Sequence, residues 1–172
     1  MEIEVKLKYK NKKEVIVWLK KNGFTFTKNK EIRDSYYGLG EGTMSNKGSL
    51  YRLRNMVGEL QELTLKDSLE DKNGVWSRRE INVPIGDPNA MAEILTSLNC
   101  KLIKENFSKR EIWNKGNIEF AFIDFSKPVE LHIAEIEGPD NDSVQDCIDS
   151  LGGIVEVAGE NVFAVFDKKA KG

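Results

Sequence analysis

Histidine occurs once, cysteine twice and proline four times in 172 residues. One histidine and two isolated thiols, Cys100 and Cys147, are too few for a zinc site or a disulfide framework, so both thiols are expected to be reduced. A strong net charge is also missing. The 26 basic and 28 acidic residues leave a formal charge of -2 and a pI near 5.6. That balance argues against nucleic acid or an anionic membrane as partner, and any cationic site must be local and offset elsewhere. No apolar run approaches the length of a membrane span and no signal peptide precedes the first strand, so the cytoplasm is the expected location. Repeats, low-complexity segments and linkers are absent too. Residues 1–172 are therefore expected to form one domain, long enough to bury roughly 70% of its unfolded surface.

What is present is charge, 31% of residues, arranged with strand periodicity. In Met1-Glu2-Ile3-Glu4-Val5-Lys6, Glu2, Glu4 and Lys6 share one face of an extended strand. Ile3, Val5 and Leu7 take the other face, which must be covered. Two carboxylates two residues apart on a rigid strand can share a divalent cation, and the lysine beyond them can meet an anion. The arrangement returns as Glu135-Ile136-Glu137. For a single strand the plainer reading is a half-buried element with its charges in water.

Hydrophobic periodicity places strands at about 1–9, 24–37, 50–56, 60–67, 74–85, 107–115, 117–125 and 129–137. Helices are expected after Asn11, with a Val15, Trp18 and Leu19 stripe ending before Gly23, and from Asp87-Pro88. A third should start at Asp142 or Ser143 and stop at Gly152-Gly153. The tail from Ile154 to Phe166 reads equally as strand or helix. Glycines at 38, 40, 42 and 48 mark a hairpin loop, since their spacing does not match a phosphate-binding motif. The class is α+β, with mostly antiparallel strands and about three helices. Its short turns favour a meander or a closed barrel.

Charge sorts by strand. Arg52 and Arg54 alternate with apolar residues, Glu62, Thr64 and Lys66 share a face, and so do Arg78, Glu80 and Asn82. Arg110 lies in a later strand and Asp124 ends the next. If the sheet closes, the first and last strands become neighbours and Glu2, Glu4, Glu135 and Glu137 converge into an oxygen-rich cage for Mg²⁺ or Mn²⁺. The basic strands would line the same interior, a setting built for a polyphosphate. Such an interior is costly, because its cations would repel one another when empty. On that reasoning, replacing Lys66 by Met should leave the empty protein no less stable. An open amphipathic sheet with these faces in bulk water is the competing reading.

Glu2-x-Glu4-x-Lys6, the basic strands and Glu135-x-Glu137 are similar to the CYTH superfamily of triphosphate tunnel metalloenzymes. That superfamily includes class IV adenylyl cyclases, thiamine triphosphatases and inorganic tripolyphosphatases. Asp34-Ser35-Tyr36-Tyr37, Leu50-Tyr51-Arg52-Leu53-Arg54, Leu63-Thr64-Leu65-Lys66-Asp67, Arg78-Arg79-Glu80-Ile81, Lys109-Arg110 with Trp113, and Ile123-Asp124 extend the match over about residues 1–138. The resemblance implies a closed eight-stranded antiparallel β-barrel, a tunnel with a polar interior, binding a triphosphate and one or two divalent metals. By position, Glu2, Glu4, Asp124, Glu135 and Glu137 would be metal ligands. Lys6, Arg52, Arg54, Lys66, Arg78 and Arg110 would hold phosphates, with Glu62 and Glu80 in support. Glu4, Lys66 and Glu135 would carry the chemistry. The implied partner is ATP, thiamine triphosphate or tripolyphosphate, and the protein would be a monomer or homodimer. Departures from the family pattern are Ile32, Asn82 and Ser108, at places where a glutamine, a second acid and a second base are frequent.

A cyclase would direct the ribose 3′-hydroxyl at the α-phosphate, and a hydrolase would direct water at the terminal phosphate. Both need nearly the same cage. Overall similarity leans to the cyclase branch, with triphosphatase as the alternative and a non-catalytic polyphosphate sensor behind it. His132 falls on the face opposite Glu135 and is expected outside the tunnel.

Overall fold

The computed structural model describes residues 3–39, 50–56, 58–59, 61–66, 70–72, 75–77, 79–159 and 162–171. The expectations placed on Glu2, on Arg78 and on most of the glycine-rich loop lie outside these residues. Strands run over β1 (Ile3–Tyr9), β2 (Thr25–Leu39), β3 (Leu50–Met56), β4 (Gln61–Lys66), β5 (Glu70–Lys72), β6 (Val75–Ser77), β7 (Glu80–Ile85), β8 (Cys100–Lys115), β9 (Ile118–Lys127), β10 (Leu131–Gly138) and β11 (Val155–Val157). Helices are α1 (Lys12–Lys21), α2 (Pro88–Ser97), α3 (Asn141–Leu151) and α4 (Val162–Lys171).

Local chemistry explains the helix ends. The Asn11 side chain accepts from the Lys13 N–H at 3.0 Å and donates to Glu14 at 3.0 Å, occupying donors that a bare first turn would leave unpaired. Asp87 does the same for Asn89 and Ala90 ahead of Pro88. On α3 the cap is Asp140, whose carboxylate accepts from Ser143 N–H at 2.7 Å. The expected caps, Asp142 and Ser143, fall inside the first turn instead. Gly152 ends α3 at φ +56, where a side chain would be strained. The ambiguous tail divides, giving β11 and then α4.

The strands form one antiparallel sheet in the order β5-β6-β1-β10-β9-β8-β2-β3-β4-β7, with β11 added on β1. Two expectations change. Among the described residues there are eleven strands rather than eight, because the run expected over 74–85 divides into β6 and β7 and three-residue β5 and β11 are too short to show a period in the sequence. The ladder also does not close: its ends are β5 and β7. Pro84 sits in β7 without an N–H to donate, as suits an edge strand. The chain itself nevertheless links the two sides. β6 pairs with β1 at Trp76↔Glu4, and β7, starting at Glu80, pairs with β4 at Lys66. Among the described residues there are four α-helices rather than about three.

The sheet's faces are covered unequally. α1 and α3 bury Val15, Leu19, Val144, Ile148 and Leu151 against Val5, Leu7, Phe120, Phe122, Ala134 and Ile136 on the outer face of β1, β9 and β10. α2 covers Tyr37, Leu53 and Cys100. α4 packs Val162 and Phe166 against Ile112, Ala121, Ile123, Phe125 and Ile133. Phe163 of α4 meets Tyr36 edge-on at 4.8 Å. Among the described residues no helix is long and apolar enough to cross a membrane.

Candidate functional site

Alternation on the strands delivers the charged residues to one cavity of about 220 Å³. Its described lining has cations from Lys30, Arg52, Arg54, Lys66 and Arg110, and carboxylates from Glu4, Glu62, Glu80, Glu119, Glu135 and Glu137. Ile32, Asn82 and Ile112 complete it, with no aromatic side chain among them. β1 lies beside β10 in a register that sets Glu4 opposite Glu137 and Lys6 opposite Glu135. Glu137 in turn sits opposite Glu119 on β9. Three carboxylates thus stand in one row across three strands.

The cations and carboxylates are interleaved rather than segregated. Lys6 pairs with Glu4 and reaches Glu135 at 3.4 Å. Arg52 meets Glu62 at 3.2 Å and the Thr64 hydroxyl at 2.9 Å. Arg54 is gripped at two points by Asp34, at 2.7 and 2.8 Å. Lys66 pairs with Glu80, Arg110 with Glu135 at 3.5 Å, and Lys30 with Glu59 at 3.3 Å. The expectation of an empty interior strained by repelling cations is therefore corrected, because each described cation of the cavity already has a carboxylate beside it.

These neighbours shift acidities. Burial alone would raise the Glu4 carboxyl, but the Lys6 ammonium, helped by Lys66 and Arg110, reverses this and holds it down at about 2. Lys6 is pushed up: burial opposes its charge, and Glu4 and Glu135 outweigh that cost. Burial would likewise raise Asp34, and the Arg54 grip keeps it below the ordinary aspartate range.

Of the expected site residues, Glu4, Glu135, Glu137, Arg52, Arg54, Lys66, Arg110, Glu62 and Glu80 line the cavity, with Lys6 bonded to two of them. Asp124 does not. On β9 it shares parity with Phe120 and Phe122, which pack on the outer face, so its carboxylate points outward. There it meets His132 Nδ1 at 2.6 Å and lies 3.9 Å from Lys12. His132, 54% exposed, is outside the cavity as expected. Lys30 and Glu119 were missed. Parity could have found both, since Lys30 is in step with Ile32 and Asp34, and Glu119 is out of step with the two phenylalanines.

A hard cation suits an all-carboxylate donor set. Among the described residues, however, no three His, Cys, Asp or Glu side chains converge as a finished metal shell. Glu4 and Glu135 are engaged by Lys6, so accommodating an ion requires that lysine to yield. Anion donors are still available. Arg52 Nε and Arg110 Nε are buried without a hydrogen-bond partner, which in a native protein calls for a ligand or water oxygen.

Comparison with known proteins matches the CYTH domain model to residues 1–150. A protein of Methanocaldococcus jannaschii named as a candidate adenylate cyclase is 32% identical over 124 residues, covering 72% of this chain and 70% of its own length. Among solved structures, the PH1012 protein of Pyrococcus horikoshii superposes with a TM-score of 0.75 at 22% identity, covering 94% of this chain and 96% of its own. A Hippeastrum protein, described as a candidate adenylyl cyclase with a dominant triphosphatase activity, gives 0.74 at 17% identity, covering 98% and 96%. At these identities the structural matches speak for the fold alone.

Proposed function

This chain belongs to the CYTH domain family, and from that premise we propose that it is a divalent-metal-dependent enzyme acting on a triphosphate chain inside the charged cavity. The observation that carries the reading is the lining itself. Arginines and lysines line a space of about 220 Å³ together with a row of carboxylates. Glu4, Glu135 and Glu137 would hold Mg²⁺ or Mn²⁺, with Glu119 beside them. Such an ion, when bound, draws charge from the phosphate oxygens it touches. The chain's own residues do the rest. Arg52 and Arg110 offer guanidinium N–H groups to phosphate oxygens. Arg54 presents the edge of the guanidinium that Asp34 leaves open. Lys6 and Lys66 add mobile point charges, each exchanging a carboxylate for a phosphate as substrate arrives. Developing negative charge would thus meet donors already in place.

Of the two reactions, hydrolysis of a triphosphate is the better fit to the lining, because no aromatic side chain among the described lining residues offers a surface for a base. Cyclisation of ATP is the second reading, supported by similarity to the Methanocaldococcus protein. Purified protein offered ATP, thiamine triphosphate and tripolyphosphate, each with Mg²⁺ or Mn²⁺ and analysed by ³¹P NMR, separates them. Faster phosphate release from tripolyphosphate than from ATP supports hydrolysis, and cyclic AMP with pyrophosphate supports cyclisation. Binding with no turnover under any metal would refute the enzyme and leave a polyphosphate-binding module.

A further inference from the structure

We infer that Asp34 is a positioning residue, a buried carboxylate beside Arg54 on the cavity-facing side of the sheet that fixes the plane of Arg54 toward a bound phosphate. This rests on the polyphosphate reading above. Asp34 is 2% exposed and does not itself line the cavity, whereas Arg54 does. The two are opposite one another on β2 and β3. Both Asp34 oxygens are used, one on Arg54 Nε at 2.7 Å and the other on Nη2 at 2.8 Å. A planar group held along one edge can neither rotate nor tilt, so the opposite edge is aimed without further cost when ligand binds.

The other two arginines of the lining are not held this way. Arg52 has its Nη2 on Glu62 and Thr64, but its Nε has no partner. Arg110 has a single long contact to Glu135 at 3.5 Å and also an unpartnered Nε. Stability alone explains the Asp34–Arg54 pair poorly, because desolvating two charges offsets much of their attraction and apolar residues could fill the same space. Asp34 also differs from Glu62, Glu80 and Glu135, which line the cavity and can be contacted by ligand directly. A buried carboxylate that does not itself line the cavity acts on ligand first through the arginine whose edge it grips.

Asp34→Asn keeps the shape and replaces one acceptor oxygen by a donor that faces the guanidinium. Its affinity for tripolyphosphate with Mg²⁺, measured by calorimetry, should fall about tenfold, the weight of one charge-assisted hydrogen bond. The loss should be in KM more than in kcat. In an Arg54→Met background the same substitution should cost nothing further, whereas a merely structural Asp34 would give an additive loss. Unchanged affinity in Asp34→Asn, or additivity in the cycle, overturns the inference. Should Asp34→Asn not fold, Arg54→Lys keeps both charges but loses the two-point grip, and parental affinity in that variant is equally fatal. A second arm needs no ligand. The Arg54 Nε–H should give a slowly exchanging NMR signal in the parent that is lost in Asp34→Asn, and persistence of that signal refutes the positioning role. If the parent binds no tripolyphosphate, the polyphosphate reading fails, and the NMR arm still decides whether Asp34 holds Arg54.

Discussion

Replacing Lys66 by Met is the sharpest test of how this cavity is balanced. Lys66 is 6% exposed and its ammonium rests on Glu80. Charge patterning alone makes it one of several repelling cations, removable without loss of stability. The pairing reverses that sign. Deleting one member of a fully buried ion pair costs about 3–5 kcal/mol, because the other charge is stranded. The Glu80 side chain is 20% exposed and can recruit water, which lowers the cost to about 2 kcal/mol. For a chain of this length that is a fall in Tm of roughly 4–8 °C. Glu80→Gln added to Lys66→Met removes the carboxylate charge that had faced the ammonium and should recover part of it. Calorimetric melts with Mg²⁺ and tripolyphosphate supply the functional half. At 100 times Kd the parent should gain about 2.7 kcal/mol, and Lys66→Met should lose most of that gain. If Lys66→Met melts at or above the parent, or if the double variant melts no higher than the single, the pairing does not govern stability and the reasoning fails.

Glu135→Ala should abolish measurable Mn²⁺ binding by calorimetry and cut turnover by orders of magnitude. It should also melt lower, since Lys6 and Arg110 both lose a partner; parental metal affinity would remove Glu135 from the metal set. Asp124→Asn, on the outer face beside His132, should leave turnover within about twofold of the parent, in the range of surface substitutions. A large loss of activity there would return Asp124 to the site. Asp34 has a folded-state pKa below the ordinary aspartate range, so its contribution to stability is complete above pH about 4 and is lost as pH falls further. Urea melts between pH 7 and 2.5 should therefore show a shallower acid loss in Asp34→Asn than in the parent. Parallel curves would mean that Asp34 is not held ionised by Arg54.

Much of the fold could be read along the chain because its signals are local. Asn11 and Asp87 announce their helices by side chains that cap the next turn, and β1, β3 and β10 announce themselves by alternation. Errors arose where local signals run out. β5 and β11 are too short to show a period, the run over 74–85 divides into β6 and β7, and the tail changes from strand to helix within a few residues. Asp140, and not the equally suitable Asp142 or Ser143, caps α3 by accepting from the Ser143 N–H.

The site divides in the same way. Alternation by itself determined that Glu4 and Lys6, Arg52 and Arg54, and Glu135 and Glu137 share faces, since successive strand side chains must point oppositely. Which strand faces which, and in what register, is a property of the packed sheet. A slip of one residue would turn every one of these side chains to the other side. Only the tertiary structure could therefore decide that Asp34 meets Arg54 and that Lys66 meets Glu80. Those pairings join neighbouring strands of the sheet across 20 and 14 residues of chain. They, and not the count of charges on each strand, set the electrostatics of the cavity, because Coulomb energy depends on distance and burial rather than on order along the chain.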